Sequence, residues 1–183
     1  PVGGEINETG HWDFEGGNPT NLWNITLNSV TLNGLNVEAG DELAIFDGDK
    51  LVGQKTLVSE VEPGYYNQSL QAYLELVSGP GYTPGNPFII KFWDHSLGVE
   101  LPVDSYELLN PQNQGFYVGD VFPEENNESS LANLEFINPD APKFNLYYVD
   151  GTTILTETYA LNHTDDNLQP GEMYCYFVTQ VYP

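Results

Sequence analysis

Thirteen prolines and eighteen glycines punctuate this chain at short intervals, and no window of eleven or more residues carries apolar side chains at the i, i+3, i+4, i+7 spacing of an amphipathic helix. Between the breaks lie segments rich in β-branched and aromatic residues that alternate apolar with polar positions. That pattern dictates an all-β fold. In residues 65–77 Leu70, Ala72, Leu74 and Leu76 share one face, while Ser69, Gln71, Tyr73 and Glu75 share the other. In residues 23–32 the apolar phase starts on Trp23, Ile25 and Leu27 and then slips to Val30 and Leu32, which predicts a β-bulge near Asn28 and Ser29. Asn33-Gly34 and Asp47-Gly48 have the composition of tight hairpin turns. Residues 88–94 are apolar on both faces, so they are expected at the centre of a sheet.

Charge narrows the function. Four lysines and no arginine stand against 27 acids, for a net charge of −23. Such a chain cannot neutralise a run of phosphates, and it has no basic patch for an anionic membrane surface. No run approaches the ~18 apolar residues of a membrane helix. Hydrophobic residues nevertheless make up 40 % of the chain, which is too much for an acidic disordered tail. The first residue is Pro1, which is expected of a processed chain or of a piece of a longer one. The single cysteine, Cys175, leaves no intrachain disulfide, so stability is expected from packing, metal or assembly.

The expected organisation is an N-terminal extension at 1–10, a β-sandwich at 11–122, a linker at 123–130 and a partial sandwich at 131–183. The linker reading rests on the sequence PEENNESS, which is polar, acidic and free of aromatics. Further strands are expected at 11–14, 100–108 and 115–121 in the first domain. Asp150-Gly151 is a further turn signal, and Gln169-Pro170-Gly171 leads into the last strand.

Two stretches carry a resemblance. Gly17-Asn18-Pro19, then Trp23-Asn24-Ile25, then the hairpin from Glu38-Ala39-Gly40-Asp41-Glu42 through Phe46-Asp47-Gly48, with Val52-Gly53 and Phe92-Trp93-Asp94 after it, resemble a β-sandwich module of large secreted proteins of the Bacteroidetes type, many of them exported by the type IX system. The resemblance covers roughly residues 10–120 and implies a secreted, cell-surface location. Phe144 through Gly151, and Leu168 through Thr179, resemble parts of a fibronectin type III-like module. Only 53 residues follow Ser130, whereas an immunoglobulin-like sandwich of seven strands takes about 100. The second module is therefore expected to be incomplete in one chain and completed by a strand from a neighbouring subunit.

The edge expected to receive that strand carries Tyr174, Tyr176, Phe177, Val178, Val181 and Tyr182. The candidate donor is the N-terminal segment, where Val2 and Ile6, four apart, fall on one face of an extended strand. Repeated head to tail, this exchange builds a fibre from copies of the chain. The competing reading is a carbohydrate-binding or adhesin module that takes polysaccharide on Tyr65, Tyr66, Tyr82, Trp93, Tyr117, Tyr147 or Tyr148; such rings serve sandwich cores and subunit interfaces equally well. Catalysis finds no support in the sequence. His11, His95 and His163 fall in no HExxH, GxSxG or Cys/His arrangement, and chance carboxylate pairs are expected among 27 acids. Asp41, Asp47 and Asp49 around one hairpin are a candidate calcium site, with Asp165-Asp166 in a second loop. The plainer reading is that Asp47-Gly48 only makes the turn. Asn7, Asn24, Asn67, Asn127 and Asn162 begin Asn-X-Ser/Thr sequons and are candidates for covalent glycans.

Overall fold

The computed structural model describes residues 10–14, 16, 20–75, 81–125, 127–148, 154–159 and 175–181. The fold is all-β, with one curled mixed sheet and one small sheet. The strands are β1 (Leu22–Leu32), β2 (Leu35–Asn36), β3 (Glu42–Asp47), β4 (Lys50–Thr56), β5 (Ser69–Tyr73), β6 (Phe88–Asp94), β7 (Val99–Leu109), β8 (Ser129–Phe136), β9 (Lys143–Tyr148), β10 (Ile154–Thr158) and β11 (Tyr176–Val181). The large sheet runs β2-β1-β8-β7-β6-β3-β4, and β5 pairs with the first half of β1.

Local chemistry explains the turns. Asn33 and Gly34 both have positive φ, 52° and 75°, as a two-residue hairpin between β1 and β2 requires. Gly48 takes φ 59° in the turn that pairs Asp47 with Lys50. The register of β1 on β8 shifts between Leu27 and Ser29, where the apolar phase slips. β6 lies between β3 and β7, as expected, yet only its Phe88, Ile90 and Phe92 face is buried, and Ile89 on the other is exposed.

β7 turns the sheet's corner. Its first part, Val99 to Pro102, pairs with β6, and its second part, from Val103 onward, pairs with β8, with a register shift between Val103 and Ser105. The curl brings β4 back against β5. Gly53 of β4 sits so close that a Cβ there would collide with the Gln71 carbonyl oxygen. Trp23, Ile25, Leu27, Leu43, Ile45, Leu70, Phe92 and Phe136 fill the interior. Tyr82 and Phe122 stack within it, with ring centroids 4.4 Å apart.

The domain boundary differs from the sequence expectation. Residues 129–136 form β8, which pairs parallel with β1 and antiparallel with β7. Ser130, expected in a linker, is fully buried; its hydroxyl accepts the Trp23 indole N–H at 2.8 Å and donates to the Tyr117 carbonyl at 2.6 Å. The chain divides near Ile137, not at 123–130, and the second unit holds residues 138–183 with the turn residues 33–35. A polar segment reads as a linker when its polar groups are satisfied by distant partners that composition does not reveal. Residues 115–121 are not a strand either; Val121 makes an isolated bridge to Pro87. Residues 11–14 form no strand, and among the described residues of the stretch expected over 65–77 the strand is β5, followed by an isolated bridge from Leu74 to Tyr82.

The second unit contains a three-stranded antiparallel sheet in the order β10-β9-β11. Asp150-Gly151 and Gln169-Pro170-Gly171 lie outside the described residues.

Candidate functional site

Among the described residues of the small sheet, β9 is central and β11 ends the order. Tyr176 pairs with Tyr148, Phe177 with Tyr147 and Val181 with Lys143. The period of two places Phe177, Thr179 and Val181 on one face and Tyr176, Val178 and Gln180 on the other. The Tyr147 and Phe177 rings stack with centroids 4.9 Å apart and planes 5° apart. This cross-strand pair fixes the register of β11 on β9. All six residues of β11 are exposed, and Val178 reaches 61 %. The strand thus presents large apolar side chains to solvent at the end of a sheet. Of the expected edge residues, Tyr176, Phe177, Val178 and Val181 lie here; Tyr174, Tyr182 and the donor candidates Val2 and Ile6 lie outside the described residues. Cys175, immediately before β11, is exposed.

The acidic hairpin holds loops together. Asp41 accepts the Glu38 backbone N–H at 2.8 Å and that of His95 at 3.0 Å. Burial pushes its carboxyl above the ordinary value, while these two hydrogen bonds act in the opposite sense. Asp47 accepts from the Thr83 backbone N–H and the Asn86 side-chain amide, both at 2.8 Å. Six residue steps separate the two aspartates along an extended strand, so they stand ~20 Å apart. The structure therefore keeps Asp47 and Asp49 on one hairpin and leaves Asp41 at the other end of β3. No group of three or more His, Cys, Asp or Glu is placed to hold one metal ion among the described residues. Asp165 and Asp166 lie outside those residues.

The aromatic candidates divide by burial. Tyr82 is fully buried, and its phenol is pushed up to about 12, chiefly by that burial and also by Glu128 and Tyr117. Tyr117 packs edge-on against Trp23 and donates its hydroxyl to the Val121 carbonyl at 2.7 Å. Trp93 is covered by His11, whose ring lies parallel to the indole at 3.7 Å. Tyr147 is engaged by Phe177. Among the candidates whose side chains are described, Tyr65 and Tyr66 alone present most of their surface to solvent, at 70 % and 56 %; the Tyr148 side chain lies outside that description.

Sequence reasoning missed Glu42. Alternation places it on the outer face of β3, yet it is buried, because residues 10–12 lie across it. The His11 backbone N–H donates to Glu42 Oε1 at 2.7 Å and that of Trp12 to Oε2 at 3.4 Å, and a Cβ on Gly10 would meet the same carboxylate at 2.8 Å. His11 Nε2 lies 3.2 Å from Glu100 Oε2, and Lys91 Nζ lies 2.7 Å from Oε1. Lys91, and then His11, hold the Glu100 carboxyl below its ordinary value. No local signal marks Glu42, since its cover comes from about thirty positions upstream.

Two sequons fall on exposed loop residues, Asn67 and Asn127. Asn24 lies within β1, where its amide bonds Thr26 Oγ1 and the Gln71 amide. Asn7 and Asn162 lie outside the described residues.

No protein-family model, no curated protein and no solved structure matches the chain.

Proposed function

We propose that this chain is a secreted structural subunit that builds a cell-surface filament by exchanging strands with copies of itself. The observation that supports the reading is β11: a strand that ends its sheet among the described residues, with Tyr176, Phe177, Val178 and Val181 exposed. An apolar strand in that position is a template for strand addition from another chain. The proposed donor is residues 1–9 of the neighbouring subunit, with Val2 and Ile6 toward the receiving sheet. Nine extended residues reach ~30 Å, and the six residues of β11 span ~20 Å, so the donor is long enough. A contact between two different surfaces of one subunit propagates into a fibre unless its rotation closes a ring.

Subunits at −23 each repel one another, so assembly needs apolar burial of the order of a standard interface, ~800 Å² per partner, or divalent cations between neighbours. Negative-stain microscopy of the purified chain tests the reading. Uniform fibres are expected, with isolated particles after deletion of residues 1–9 and after Val178→Asp. Fibres that persist in both variants would overturn it, and so would isolated particles in the unaltered chain.

A further inference from the structure

The loop that follows β4 carries two exposed tyrosines on an unusually well-anchored backbone. Glu62-Pro63-Gly64-Tyr65 is a tight turn closed by a hydrogen bond from the Tyr65 N–H to the Glu62 carbonyl at 3.2 Å. Gly64 has φ 88°, and with Pro63 before it the turn has the type II pattern. The Gly64 N–H donates to Asn28 Oδ1 at 3.1 Å, and Asn28 Nδ2 donates to Asn133 Oδ1 at 2.6 Å. The bulge in β1 thus aims Asn28 at the loop. Gln68, itself buried, ties the other side: it accepts from the Val58 N–H and donates to the Ser59 carbonyl, both at 2.9 Å.

Large aromatic rings on a surface are ordinarily seated against neighbours, and a rigid loop that holds two of them in water is a prepared contact. Beside Tyr65 lies an open recess of about 330 Å³ lined by Ser59, Glu60, Glu62, Tyr65 and Asn67. We infer that this recess binds a neutral saccharide. A sugar ring has an apolar C–H face, which suits the Tyr65 ring, and a rim of hydroxyls that both donate and accept. The recess answers that rim with carboxylate acceptors on Glu60 and Glu62 and an amide on Asn67 that does both. A cationic side chain would use the acceptors and leave the amide donor without a role. An anionic polymer would meet two carboxylates on a chain of net charge −23. The inference is independent of the assembly reading, because the recess lies in the first unit and β11 in the second.

The probes are soluble neutral hexaoses of glucose, mannose, xylose and galactose, titrated by heteronuclear NMR into the full-length Val178→Asp chain, whose substitution lies in the second unit and which is expected as isolated particles. At least one is expected to shift the amides of residues 59–67, with an affinity unchanged between 0.05 and 0.5 M salt. Tyr65→Ala is expected to weaken it about tenfold or more, and Glu62→Gln several-fold, the range for losing a stacking platform or a charged hydrogen-bond acceptor. Tyr65 is exposed, so the variant should retain the wild-type spectrum elsewhere, and Leu97→Ala, at another exposed apolar site, should bind as wild type. Binding by none of the four hexaoses would overturn the inference. So would equal affinity in Tyr65→Ala, or shifts in the same amides by heptalysine alone that vanish at high salt.

Discussion

The indole N–H of Trp23 donates to the hydroxyl of Ser130 at 2.8 Å, joining residues 107 positions apart in the chain. Both residues are fully buried, and the same hydroxyl donates onward to the Tyr117 carbonyl. One side chain therefore satisfies a donor on β1 and an acceptor in the segment before β8. Ser130→Ala should cost about 1–3 kcal/mol, because it leaves both groups dry and unpaired. Urea unfolding should show a lower midpoint with an unchanged slope. A midpoint equal to wild type would mean that water replaces the hydroxyl.

Tyr82 gives the opposite result at neutral pH. Its buried hydroxyl has no hydrogen-bond partner among the described residues, so Tyr82→Phe should be neutral or slightly stabilising. Alkaline pH reveals the group. Below the ordinary tyrosine value of 10 both states keep the proton and the folded state has its full stability. Above 10 the unfolded chain releases the proton first, and stability falls until the folded phenol ionises at about 12. Tyr82→Phe should make the stability curve shallower in that window, while Tyr106 and Tyr117, also raised by burial, keep some slope. Identical slopes in variant and wild type would contradict this assignment.

Gly53 and Gly48 separate two uses of glycine. Gly53→Ala would force β4 away from the Gln71 carbonyl and should cost about 3 kcal/mol or more, as overpacking does. Gly48 has open space around it but sits at φ 59°, so Gly48→Ala should cost only about 1–2 kcal/mol. Thermal melts of the two variants should rank in that order.

Glu42→Gln should loosen residues 11 and 12 without unfolding the sheet. The amide offers one acceptor oxygen where the carboxylate offers one to each backbone N–H. Hydrogen exchange at the His11 and Trp12 amides should quicken about tenfold, the equivalent of one lost hydrogen bond, with the β3 amides unchanged. Unchanged protection at both amides would show that stacking of His11 on Trp93 suffices to hold the segment.

Under the proposed assembly, if divalent cations bridge neighbouring subunits, fibres should weaken in low salt with a chelator, where repulsion between acidic chains is least screened. Turbidity and pelleting assays read this directly. Indifference to both conditions would remove cations from the assembly.

What was legible in the sequence was local. Asn33-Gly34 and Asp47-Gly48 announce their turns because glycine and asparagine meet the backbone requirement on the spot. The β1 bulge is visible because the apolar phase must slip where the pleat slips. The segment around Ser130 has the composition of a linker because its partners, Trp23 and Tyr117, are brought to it only by the folded sheet. Tyr65 and Tyr82 illustrate the same limit at the candidate sites. Their chemistry is identical in sequence; one stands in water and the other in the interior because of what the curled sheet places over each. Residues 176–181, with apolar side chains on both faces, are legible as a strand, and their exposure is not.

The parallel seam between β1 and β8 also sets a timetable for synthesis. A ribosome delivers residues 22–32 long before 129–136, so the β8 flank of the opening strand stays bare while some hundred residues are added. A fragment ending at residue 122 would lack the piece that joins β1 to β7, and should emerge as an aggregation-prone intermediate. The nascent chain has to avoid association throughout that interval.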